Sequence, residues 1–244
     1  MRNQITEGQR SGTSFQLYGG RDPRDIPAYT FVAASKYLDI PLATLRSWIF
    51  GRHYPTKSGE KFFRPLFQRP DRNKHLLSFN NLVEAHTLNA IRKEHHIDLQ
   101  KVRLTLSFVQ REFDLKHPLV EQRFETDGID LFIHHYGQLI NVSQDGQLAM
   151  KNVLEEYLKR VERDPSGRAA RLYPFLRAEG HRENKSVVID PYISFGNPVI
   201  AGTGIPTSII AGRFNAGESV TELSKDYGRE TFEIEEAIRY ERAA

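Results

Sequence analysis

The chain contains no cysteine. That excludes disulfides, thiolate metal sites and cysteine nucleophiles together, and it suits a reducing compartment. Nor is there an apolar run approaching the roughly 20 residues needed to span a bilayer. Met1 to Gly20 lacks the apolar core of a secretory leader, so the expectation is a cytoplasmic protein with no membrane partner. Catalytic patterns are also missing. There is no Gly-x-Ser-x-Gly, no His-Glu-x-x-His, and no Gly-Lys-Ser/Thr after Gly202-Thr203-Gly204. The adjacent pairs His95-His96 and His134-His135 diverge by about 100° on a helix and point to opposite faces of a strand, so neither chelates alone. Glu155-Glu156 and Glu235-Glu236 fall in amphipathic stretches, where surface charge is the default. The sequence therefore predicts no metal, no cofactor and no catalysis.

What is present is a globular composition, 39% hydrophobic and 27% charged over 244 residues, enough for one large domain or two small ones. The net charge of +3 conceals a split. Between Arg46 and His75, eight Lys or Arg face only Glu60 and Asp71, a net +6. From Gly217 to Ala244, eight acids face four bases, a net −4. A basic patch and an acidic end predict two surfaces with different partners.

Along the chain, residues 1–26 are polar and rich in glycine and read as a flexible arm. Thr30 can cap a short helix that runs to Leu38 and is broken by Asp39-Ile40-Pro41. In the next helix Leu42, Leu45, Trp48 and Ile49 share one face, with Thr44, Arg46 and Ser47 on the other. Two short helices, a tight turn and a polar second face predict a helix-turn-helix. Phe62–Phe67 and Leu76–Phe79 read as the strands of a wing whose tip carries Arg69, Arg72 and Lys74, with Pro65 limiting the first to an edge. Helices follow, one capped by Asn80 or Asn81 and one starting at Asp98. A strand pair at 122–126 and 131–135, another strand near 139–142, and an amphipathic helix from Leu148 to Val161 complete the first unit. Residues 163–185 read as a linker. Beyond it come a strand at Val187–Ile189, a Gly/Pro-rich stretch, and three helices near 207–215, 219–227 and 231–242, the second opened by the Ser219/Glu222 capping box. The fold expected is mainly α with small β hairpins. A winged helix-turn-helix unit with a helical and hairpin extension spans 27–162, and a three-helix helix-turn-helix unit spans 186–244.

Two resemblances sharpen this. Tyr29, Val32-Ala33-Ala34, Leu38, Ile40 and Thr44-Leu45-Arg46-Ser47-Trp48, continued by Ser78-Phe79-Asn80-Asn81-Leu82, resemble the MerR-type winged helix-turn-helix. Ile189 through Thr207, continued by Gly217-Glu218-Ser219-Val220 and Tyr227, resembles a small bacterial domain long described as of unknown function. In that order the two resemble the longer VapB-type antitoxins. The resemblance implies a DNA-binding protein that neutralises a PIN-like ribonuclease toxin and represses its own operon. The alternative is a stand-alone regulator, with a ligand pocket housed in 115–165.

The candidate DNA-binding residues are Thr44, Arg46, Ser47, Arg52, Lys57, Arg69, Arg72 and Lys74. Arg46 suits a guanine edge, while the hairpin cations suit phosphate. The less favoured alternative is that Arg46 pairs with an acid of its own domain. Trp48 reads as core. Glu222, Asp226, Glu233 and Glu236 are candidates for toxin binding or dimerisation, or else line a solvated acidic face. The partners expected are double-stranded operator DNA, a cognate ribonuclease toxin and a second copy in a homodimer.

Overall fold

The computed structural model describes residues 18–56, 59–94, 99–114, 117–140, 143–174 and 185–243. It is mainly α, with two-stranded antiparallel sheets, as expected. Most of the expected arm, Lys57, the pair His95-His96 and Asp98 lie outside the described residues.

The helix-turn-helix forms where the sequence places it. Strand β1 (Tyr29–Thr30) leads into α1 (Phe31–Leu38), and the Thr30 hydroxyl accepts the Ala33 N–H at 3.0 Å. Asp39 ends α1 at φ 52°, a left-handed conformation that Asp tolerates better than most residues. Helix α2 (Leu42–Phe50) then buries Leu45, Trp48 and Ile49, which fixes its outward face.

The wing differs from expectation. Strands β2 (Arg52–Thr56) and β3 (Gly59–Phe63) form the hairpin, in a register that sets Arg52 opposite Phe63 and Tyr54 opposite Lys61. Leu76–Leu77, expected to close the wing, is β4 and pairs with β1. The stretch from Arg64 to His75, begun by Pro65, is a loop rather than a hairpin tip. Gly51 makes the early hairpin feasible. It sits at φ 76°, and a Cβ there would lie 2.1 Å from the Phe63 carbonyl oxygen. Only glycine lets the chain leave α2 and turn this tightly.

Helix α3 (Phe79–Glu94) is the central post of the large core, with Phe79, Leu82, Val83, Ala85 and Leu88 fully buried. Its cap is Ser78 rather than an asparagine. Ser78 Oγ accepts the Asn81 N–H, and Asn81 Oδ1 accepts the Ser78 N–H, both at 3.2 Å. Helix α4 (Leu99–Phe113) follows.

The expected strands between 122 and 140 are instead a π-helical turn (Phe124–Gly128) running into α5 (Ile129–Ile140). The reason is periodicity. Ile129, Phe132, Ile133 and Tyr136 recur at helical, not alternating, spacing, and all four are buried. Helix α6 (Gln144–Leu158), capped by Ser143, begins four residues earlier than expected and releases Val161 into a strand.

Residues 163–174, read as linker, belong to the core. Strand β5 (Val161–Arg163) turns at Asp164–Gly167 and pairs with β6 (Ala169–Leu172). Leu172 then exchanges both backbone hydrogen bonds with Ile189, at 3.0 and 2.8 Å. Strands β7 (Val187–Val188) and β8 (Val199–Ile200) pair beside it. The C-terminal helices are α7 (Thr207–Asn215), α8 (Val220–Tyr227) and α9 (Thr231–Ala243), around a second core of Ile200, Ile210, Leu223, Ile234, Ala237 and Ile238.

The two cores meet at a seam. Tyr240 packs with Val187 and Tyr37, its hydroxyl donates to the Tyr37 carbonyl, and Glu241 pairs with Lys36 at 2.8 Å. Buried Arg24 pairs with Asp22 at 2.8 Å and Asp164 at 2.6 Å, and the Tyr192 hydroxyl donates to Asp22 at 3.3 Å. The C-terminal unit is thereby docked on the first helix of the helix-turn-helix, and Arg46 of α2 remains exposed.

Candidate nucleic-acid interface

With Leu45, Trp48 and Ile49 turned inward, α2 presents Thr44, Arg46 and Ser47 outward. Arg46 is exposed and makes no ion pair among the described residues, so the internal-acid alternative fails. Ser47 donates its hydroxyl proton to the Thr44 carbonyl at 2.8 Å, which leaves its oxygen lone pairs for a partner that donates.

On the hairpin, Arg52 and Lys61 fall on the same face, because Arg52 opposes Phe63 and Lys61 lies two residues before it. Phe63 on that face is buried, and both cations are exposed. On the other face the rings of His53 and Phe62 meet at a tilt of 46°, their centres 4.8 Å apart.

The loop after β3 is held against the end of α2. The Leu66 N–H donates to the Trp48 carbonyl at 2.7 Å. The Arg69 guanidinium lies 4.7 Å from the centre of the Phe50 ring and donates to the Lys74 carbonyl at 3.1 Å. Asp71 does not neutralise this loop by an ion pair; its carboxylate caps a turn by accepting the Asn73 N–H at 2.8 Å. Arg64, Arg72 and Lys74 are exposed.

Arg46 thus stands on α2, Arg52 on the strand that follows it, and Arg69, Arg72 and Lys74 on the loop held against its end. The structure adds Lys61 and Arg64, which the wing assignment passed over. The signal for Lys61 was Gly59, which opens a strand in which Lys61 points with Arg52. Among the described residues none of these seven forms a salt bridge; on the hairpin, Glu60 lies 3.7 Å from His53 Nδ1. Unpaired cations on a helix-turn-helix and its wing are suited to phosphate oxygens and guanine edges.

The acidic candidates behave differently. Glu222 caps α8 through Ser219, and its carboxyl is held below the usual carboxylate range chiefly by the Ser219 hydroxyl and backbone hydrogen bonds. Asp226 pairs with Arg213, which also holds Glu218, and Glu233 pairs with Arg229. Glu236 is fully buried and pairs with Arg239, so it is not part of an outward acidic face. Its position on α9 follows Ile234 and precedes Ala237, on the buried stripe.

His134 and His135 diverge on α5. His134 meets Gln138 at 2.9 Å, while His135 meets Thr105 at 3.2 Å and stacks on Phe108. Among the described residues there is no cluster of side chains able to hold a metal ion, and no helix is long and apolar enough to cross a membrane. A cavity of about 670 Å³ opens where Asp25 and Asn80 meet His117, Arg123 and Arg168.

Comparison with known proteins agrees with this layout. Residues 27–106 match the family described as "Putative DNA-binding HTH domain", and residues 187–240 match "Protein of unknown function (DUF433)". Over 232 residues the chain is 28% identical to a Mycobacterium tuberculosis protein named "Putative antitoxin VapB45", covering 88% of this chain and 93% of that one. Along nearly its whole length the chain is thus similar to a protein named as a putative antitoxin. A second protein of that organism, "Uncharacterized protein Rv2308", is 22% identical over 88% of this chain and 90% of its own length. The crystal structure of Rv2018, also from M. tuberculosis, matches 87% of this chain and 98% of its own at 22% identity with a TM-score of 0.64, a likeness of fold. The similarity therefore runs through the middle segment as well as the two matched families.

Proposed function

We propose that this protein is a DNA-binding antitoxin of the cytoplasm. As a homodimer it holds a two-fold symmetric operator through α2 and the hairpin, represses its own operon, and silences a PIN-like ribonuclease toxin through the C-terminal unit. The observation that carries the DNA half is the set of unpaired cations on α2, the hairpin and the following loop. The toxin half is supported by similarity along nearly the whole chain to a protein named as an antitoxin.

Fluorescence anisotropy on a duplex from the protein's own promoter tests the first half. Affinity is expected to fall steeply with salt, and Arg72→Ala is expected to lower the log–log slope by about one. A salt-independent affinity that is also indifferent to Arg72 sinks the DNA reading. For the second half, stoichiometric loss of ribonuclease activity on adding the protein is the expected result.

A second reading, a stand-alone regulator that senses a small molecule, is favoured by the cavity at the junction of Asp25, His117 and Arg168. Its lining is largely polar, from Asp25, Asn80, Glu121, Gln122, Arg123 and Arg168.

A further inference from the structure

Phe195 is the most exposed large apolar side chain of the described residues, at 78%. The backbone holds it there against its own preference. Ser194 and Phe195 occupy the left-handed region in succession, at φ 48° and 55°, which is unfavourable for residues with a Cβ and rare for a bulky one. The loop around them is over-determined. Ser194 Oγ donates to the Gly204 carbonyl at 2.9 Å, and Asn197 Nδ2 donates to the Ser194 carbonyl at 2.8 Å. Gly196 lies so near Tyr29 that a Cβ there would sit 2.1 Å from the phenol oxygen. Strain and an exposed ring bring nothing to the isolated fold. Both are recovered if the ring enters an apolar recess on another molecule.

The surroundings select the occupant. From Pro191 to Gly212 there is no charged side chain, in a chain that is 27% charged. Depletion of charge around an aromatic is the composition of an interface centre, and it offers nothing to a phosphate backbone. A second copy would need a matching recess on the same face. The cavity described above lies elsewhere, against Asp25 and His117, and no residue of 191–212 lines it. Beyond the uncharged stretch the chain is acidic, net −4 over 217–244. The partner that fits is a protein with an apolar recess rimmed by cations, which is the surface of a protein that handles RNA.

We infer that Phe195, in the uncharged stretch 191–212, is the anchor for the ribonuclease partner, in place of the acidic side chains of α8 and α9. This rests on the antitoxin reading above. The test uses the full-length tagged chain from its own cell, as wild type and as Phe195→Asn. A ribonuclease that copurifies with wild type is identified by mass, prepared separately and titrated back by calorimetry. Asn accepts left-handed backbone, so the variant is expected to melt no lower than wild type while binding about tenfold or more weakly. Phe195→Gly, suited to the same φ, repeats the measurement should the Asn variant melt lower.

Equal binding by wild type and a stable variant overturns the anchor and leaves the antitoxin reading standing. No ribonuclease with wild type removes that reading, and the anchor with it. Sedimentation in which wild type self-associates and Phe195→Asn does not would assign the face to a contact between copies and overturn the inference.

Discussion

The two ends of this protein both carry many charged residues, but they use them in opposite ways. Around α2 the cations Arg46, Arg52, Lys61, Arg64 and Arg72 stand without ion-pair partners among the described residues, and the one nearby Asp of their loop is occupied by a turn. In the C-terminal helices Arg213, Arg229 and Arg239 are each matched to carboxylates. A count of charges would call the first end basic and the second acidic. The structure separates them further: among the described residues the first set forms no ion pairs, while the arginines of the second are held within the fold. The two sets are therefore expected to respond to mutation in different observables, binding for the first and stability for the second.

The largest effect is expected from Trp48→Ala, which removes the fully buried side chain that orients α2. A loss of about 3–5 kcal/mol, read by denaturant titration, would take DNA binding with it. A small loss would mean that α2 is positioned by something else. Arg46→Ala comes next. It is expected to leave the melting curve in place and to cost about 1–3 kcal/mol at the preferred operator base, measured by anisotropy on matched and single-base-variant duplexes. Equal losses on all duplexes would reassign Arg46 to phosphate.

Arg213→Ala inverts that pattern. It breaks contacts to both Glu218 and Asp226, so the thermal midpoint is expected to drop while operator affinity stays within error. A loss of affinity at unchanged stability would erase the contrast between the two ends.

The smallest effect concerns acid. Burial alone would raise the Asp22 carboxyl, but hydrogen bonds and charge from Arg24, with the charge of Arg168, hold it below the usual range. Asp164 is also held low, against its burial, by Ser166 and Arg24. A carboxylate depressed in the folded state contributes stability that is complete above the unfolded value of about 3.9 and is lost as pH falls through the folded one. Denaturant midpoints are expected to fall below about pH 4, and less so in Asp22→Asn.

Much of the helix-turn-helix was legible because local chemistry and periodicity agree there. Thr30 caps, Asp39-Ile40-Pro41 breaks, and Leu45, Trp48 and Ile49 share a stripe. The wing was misplaced because apolar content was weighed above turn geometry: Phe62 to Phe67 looks like a strand, yet Gly51 and Gly59 decide where the chain folds back. In the middle segment, aromatics favoured strand by type, while their spacing from Ile129 to Tyr136 was helical. Glu236 was misread as surface because adjacent glutamates look solvated until Ile234 and Ala237 show which way the helix faces. None of these errors touched α2, which is why Arg46 survived as a candidate while the cations after Gly59 had to be rearranged.

The exchange of two backbone hydrogen bonds between Leu172 and Ile189 carries a consequence for how the chain melts and how it can be cut. The large core and the C-terminal core share a rung, so heating is expected to give one calorimetric transition where two family boundaries suggest two. A fragment starting at 186 would leave the Ile189 N–H and C=O, and the edge beside them, without a mate. Such an edge is a template for pairing with other chains. The domain borders drawn from sequence families are thus not the borders at which this molecule can be divided into soluble halves.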